Sequence, residues 1–166
     1  MTAKAMKAPS AAAADRVAGG QRPRLSTDFL NRYNEALMLI EMSAVDDSVV
    51  ADLKAWRSRT YREHFATSSL RVAASALAAY DRIEPARTRA FEDACRSMDR
   101  LIYAVTALLE EQPRPPELPI VIAGASAAVR RLIAGLIQFI NANGEIDIAL
   151  FDDITVQAEI DALLED

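Results

Sequence analysis

The side chains able to do chemistry are few. His64 is the single histidine and Cys95 the single cysteine of 166 residues. With one histidine there is no pair of imidazole ligands, and the repeated Glu-x-x-His pattern that builds di-iron bundles is absent, so ferritin-like metal chemistry is excluded. Ser68, Ser69, Ser75 and Ser126 have no second histidine to activate them and no strand-to-helix elbow to sit on. The glycines Gly19, Gly20, Gly124, Gly135 and Gly144 match neither a phosphate loop nor a dinucleotide fingerprint. The carboxylate pairs Asp46-Asp47, Glu110-Glu111 and Asp152-Asp153 fall at helix ends or in loops, where solvated charge is the expected role. A lone Cys95 forms no internal disulfide; inside an apolar helical stripe it reads as a small buried hydrophobe, which fits a reducing, cytoplasmic setting. No catalytic residue, metal or cofactor is expected.

The elements around these residues are helical. The chain is 51% hydrophobic but 6% aromatic, alanine-rich and poor in glycine, a composition suited to helix packing. Residues 1–25 carry Lys4, Lys7, Arg16, Arg22 and Arg24 against Asp15 without apolar period and read as a disordered basic arm. The whole chain has a net charge of -5, and with a basic arm the remaining body is more acidic still, near -9. Such a body repels phosphate backbones, so no nucleic-acid partner is expected. The longest uncharged apolar run, 118–129, is too short to span a bilayer, and no membrane role is expected either.

A helical body is expected over 26–143. Ser26 or Thr27 caps a first helix carrying Leu30, Tyr33, Leu37 and Ile40. A short helix follows from Asp46, with Trp56 as its anchor. One long Ala-rich helix is expected from Thr60 to about Ile83, with Phe65, Ser69, Val72, Ala73, Ala76 and Tyr80 sharing a side. Glu84-Pro85 breaks it. Phe91, Ala94, Cys95, Met98, Leu101, Ile102, Val105, Leu108 and Leu109 then keep heptad-like spacing, and after Pro113–Pro116 a last helix runs from Leu118 to Ala142, stopped by Asn143-Gly144. Apolar stripes of this kind must cover one another, which predicts an all-α fold: a four-helix bundle, or a similar helical bundle, with a short extra helix.

After Gly144 the chain becomes an acidic, apolar tail, 144–166, expected to form short amphipathic helices. It holds two imperfect copies of one pattern, Glu145-Ile-Asp-Ile-Ala-Leu-Phe-Asp-Asp153 and Glu159-Ile-Asp-Ala-Leu-Leu-Glu-Asp166. In the second copy Ile160, Leu163 and Leu164 share a helical face flanked by Glu159 and Asp161. A helix this short gains order by docking in a groove.

The stretch Gln157-Ala-Glu-Ile-Asp-Ala-Leu-Leu164 resembles the short segment by which flagellar switch proteins of the FliM family capture the phosphorylated chemotaxis regulator CheY. The likeness covers about eight residues and none of the bundle. Val156 stands where the family has serine, and the segment lies at the opposite end of the chain. The resemblance implies a response-regulator receiver domain as partner. Ile160, Leu163 and Leu164 would be apolar anchors, with Gln157 beside them and Glu159 and Asp161 meeting basic groups.

A regulator-binding tail on a helical bundle is also similar to the chemotaxis phosphatase CheZ, whose Asp-x-x-x-Gln spacing occurs once here, at Asp153 and Gln157. Those two lie in the tail rather than on a long helix. Phosphotransfer domains use a single histidine on a bundle helix, typically followed by lysine and a small residue, whereas Phe65-Ala66-Thr67-Ser68 follows His64. The expected function is a signalling adaptor without catalysis. The alternatives are a phosphotransfer or phosphatase-like signalling enzyme, or a structural bundle that forms a homodimer through its Ala-rich helices.

Overall fold

The computed structural model describes residues 20–148 and the isolated positions 158, 162 and 165. The protein is an all-α helical bundle, with six α-helices among residues 20–148: α1 (Asn31–Met42), α2 (Val50–Ala55), α3 (Tyr61–Ala66), α4 (Ala73–Tyr80), α5 (Pro85–Glu110) and α6 (Leu118–Asn141). Its frame is the pair α5–α6, against which α1 packs; α2 lies on α5, and α3 and α4 pack on each other.

The helix starts are where local chemistry puts them. Ser26 Oγ accepts from the Asp28 amide ahead of a 3-10 turn, Thr27–Leu30, that leads into α1. Asp46 caps the turn before α2 by accepting from the Ser48 amide. Thr60 and Glu63 form a reciprocal capping box at α3. Pro85 opens α5, where its missing N–H costs nothing. At the end of α6 the Gly144 amide bonds back to Phe139 O at 2.9 Å, with Asn143 and Gly144 both at positive φ (55° and 74°). That closure satisfies carbonyls a helix end otherwise leaves open.

The long helix expected over 60–83 is two short ones. Between α3 and α4 lies Thr67-Ser68-Ser69, and its hydroxyls take over backbone partners: Thr67 Oγ1 donates to Glu63 O at 3.0 Å, and Ser68 Oγ accepts from the Leu70 amide at 3.1 Å. Such local bonds compete with the helix ladder. Ser69 and Val72, assigned to the buried side of that helix, are exposed in consequence.

The boundary between arm and body also shifts. Pro23 and Leu25 are buried, so the packed body begins before Ser26. At the other end Ile148 is buried and Ile146 packs on the core, so the body continues past Gly144. Residues 1–19 and most of 149–166 lie outside the described residues.

Candidate functional site

His64 sits on the six-residue helix α3, with its side chain 16% exposed. Its Nε2 lies 2.8 Å from Asp28 Oδ2, and its ring meets the edges of Phe29 and Phe65 with centroids at 5.8 and 4.7 Å. The contact ties α3 to the turn that starts α1. One ring nitrogen is thus committed to a carboxylate, and apolar rings wall the imidazole, which is the setting of a structural contact between elements.

Cys95 lies in α5 and is buried. Burial, then the nearby Asp99, push its thiol well above the ordinary value, so it stays protonated and is a poor nucleophile. Beside it the Tyr33 hydroxyl donates to Asp99 Oδ1 at 2.9 Å. Burial, with Cys95 and Asp99 adding to it, holds the Tyr33 phenol far up. A second pair of the same kind joins Tyr80 to Glu92 at 2.9 Å, and burial again raises the phenol. Tyr61, which accepts the Ser26 amide at 3.0 Å, is pushed by burial to about 12. These phenols act as hydrogen-bond donors or acceptors at the edge of an aromatic cluster of Phe29, Tyr61, Phe65, Phe91 and Phe139, and none is poised to give up its proton at neutral pH.

Asp99 carries a pH dependence. Burial raises its carboxyl above the ordinary 3.8 even though Tyr33 donates to it. The folded state therefore binds this proton more tightly than the unfolded chain. The group's favourable contribution is complete below the ordinary carboxylate range and is lost as pH rises through the raised value. Asp99→Asn keeps an acceptor for Tyr33 and removes the titration. Urea unfolding across pH 3 to 7 should show the variant gaining on the parent as pH rises; a constant difference would assign the site no such linkage.

The two ends of the described chain meet at one pole. The Asn143 carboxamide accepts from the Leu25 amide at 2.8 Å and donates to Pro23 O at 3.1 Å. Arg22 pairs with Glu145, and Arg87 with Asp147 at 2.9 Å. Beneath this clasp is a cleft of about 180 Å³ lined by Arg22, Pro23, Ile83, Arg87, Asn143 and Gly144. Of its charged wall, Arg22 pairs with Glu145 and Arg87 with Asp147 and Glu84, and Arg82 lines it too. Sequence reasoning took Asn143-Gly144 as a helix stop and missed the clasp. Positive φ was foreseeable from Asn-Gly; the partner 118 residues away was not.

Trp56, read as an anchor, is one: its indole N–H donates to Arg32 O at 3.1 Å, and the Arg32 guanidinium lies over its ring. Among the described residues no three His, Cys, Asp or Glu side chains converge on a point that could hold a metal. By length and composition α6 alone among the described helices is apolar enough to cross a membrane. Yet it carries Arg130-Arg131 and is packed lengthwise on α5 and α1, the position of a core helix.

The partner-binding residues expected from sequence, Gln157, Glu159, Ile160, Asp161, Leu163 and Leu164, all lie outside the described residues, as does Asp153. Between them Ala158 and Ala162 are described, and both are helical and exposed. Comparison with known proteins finds no matching protein family, no matching curated protein and no matching solved structure.

Proposed function

We propose that this chain is a non-catalytic signalling adaptor whose helical body carries a C-terminal peptide, residues 157–164, for a CheY-like receiver domain. The observation that carries the reading is the sequence Gln157-Ala-Glu-Ile-Asp-Ala-Leu-Leu164, which puts three large aliphatic side chains on one helical face beside two carboxylates. Helix at Ala158 and Ala162 supports it, since helix-in-groove recognition needs that conformation. His64 is committed to Asp28 and Cys95 is buried and protonated, so the body's two reactive side-chain types have structural employment. A receiver's phosphorylation-sensitive face, with basic groups around an apolar depression, is the complementary surface.

Each aliphatic anchor contributes at most about 1.5 to 3 kcal/mol, reduced by the cost of ordering the segment, and micromolar affinity follows. Titration of the full chain with a receiver domain, with and without beryllofluoride activation, tests this. Binding should be micromolar, tighter to the activated receiver, and weakened about tenfold or more by Leu163→Ala. Binding indifferent to both activation and Leu163→Ala would overturn the reading.

A further inference from the structure

α6 is a core helix on one side only. That side meets α5 and α1, whereas Ile120, Ala123, Ala127, Arg130, Ala134 and Ile137 are all exposed, Ile120 by 75% and Ile137 by 37%. Along the helix these six positions step by 3, 4, 3, 4 and 3, the spacing of a seam that holds a second helix. A helix face turned to water is ordinarily charged, as α5 illustrates: its exposed positions include Arg89, Asp93, Arg96, Arg100 and Glu110. The outward side of α6 is apolar instead, and the apolar surface continues onto α1. Glu41 of α1 pairs with Arg130, which sets the two helices at one level. Met38, a turn before Glu41, is 51% exposed, and Val45, just past the end of α1, is 92% exposed. Exposed apolar residues gathered in this way, with Arg131 and Gln138 at the margin, mark a contact surface.

The order of the six residues points to what covers them. Taken backwards from Ile137 the seam runs Ile, Ala, Arg, Ala, Ala, Ile. A second α6 laid antiparallel therefore sets Ile120 against Ile137, Ala123 against Ala134 and Ala127 against Arg130. A two-fold interface demands such self-complementarity, because the same surface must serve on both sides. We propose that two copies of this chain associate through α6, antiparallel, about a two-fold axis between Ala127 and Arg130. The alanines let the two backbones approach and the isoleucines close both ends. Each Arg130 lays its aliphatic stem over Ala127 of the other copy while its charge stays on Glu41. The axis falls at the level of Glu41, so Met38 and Val45 of both copies flank it and widen the contact beyond one pair of helices. The pairing uses nothing of the C-terminal peptide and stands or falls apart from the adaptor reading.

Sedimentation equilibrium of the full chain at about 100 μM, well above a micromolar dissociation constant, should give twice the 18.1 kDa of one chain. Ala123→Glu, at an exposed position that leaves the helical dichroism unchanged, should weaken association about tenfold or more by burying an unpaired charge. Cross-linking reads the register. Chains carrying Ile120→Cys, mixed with chains carrying Ile137→Cys and oxidised, should form a disulfide-linked dimer. Neither variant should do so alone, since like positions then stand about 25 Å apart. Cys95 is buried and takes no part. A parent mass of 18.1 kDa overturns the proposal, as does a dimer indifferent to Ala123→Glu. Equal cross-linking by either variant alone overturns the antiparallel register. A monomer that floats with phospholipid vesicles overturns the pairing and gives the face to lipid.

Discussion

Phe29→Ala should lower the unfolding free energy by about 3 to 5 kcal/mol, a large share of the 5 to 15 kcal/mol typical of a domain. Phe29 has no exposed surface and touches four rings: Tyr33 at 5.7 Å, Tyr61 at 5.3 Å, His64 at 5.8 Å and Phe91 at 5.9 Å between centroids. Those partners belong to α1, α3 and α5, so removing one side chain loosens three elements together. The surrounding rings are held by their own contacts, Tyr61 by stacking on Tyr80 at 4.7 Å and Phe91 by Phe139 at 5.5 Å, and cannot collapse to fill the space. Urea titration followed by far-ultraviolet dichroism would report the change as a shifted midpoint with an unchanged slope. A loss under about 1 kcal/mol, the ordinary size for an unremarkable position, would show that the cluster is not organised around this ring.

Gly144→Ala should cost about 2 to 3 kcal/mol, for two separable reasons. Its φ of 74° is one that a Cβ disfavours by roughly 1 to 2 kcal/mol. The added carbon would also stand 2.8 Å from Ile83 Cγ1 and 3.2 Å from its Cδ1, so the Ile83 side chain must shift, at the further expense usual for overpacking. Gly20 separates the two effects. Its φ is 76°, yet nothing lies within 4 Å of the position a Cβ would take. Gly20→Ala should therefore show the conformational part alone, about 1 to 2 kcal/mol. Equal losses at both positions would mean that Ile83 yields freely and the clash carries no weight.

How much of this the sequence disclosed depends on the range of the forces involved. α5, 26 residues long, was legible because its apolar positions from Phe91 to Leu109 repeat at helical spacing, and Pro85 marks its start. The end of α6 was legible because Asn-Gly favours positive φ. The break at Thr67-Ser68-Ser69 was missed because alanines on both sides gave a helical average, while the hydroxyls of Thr67 and Ser68 took over backbone partners locally. The polar pairs Tyr33–Asp99, Tyr80–Glu92 and His64–Asp28 join residues 66, 12 and 36 positions apart. No periodicity announces such partners, because they are set by which helices meet. The candidate peptide is the opposite case: a short pattern legible only as sequence, on residues the structure does not describe.

The union of Leu25 with Asn143 also sets a schedule for the nascent chain. As synthesis proceeds, the segment 22–25 waits for 118 further residues before its carboxamide partner leaves the ribosome. α1 waits nearly as long for α6, so its apolar side emerges well before anything can cover it. The aromatic turn at Phe29 meets Tyr61 and Phe65 much sooner. An early N-terminal nucleus around Phe29, sealed last by the arrival of Asn143, is the order of assembly that this topology favours.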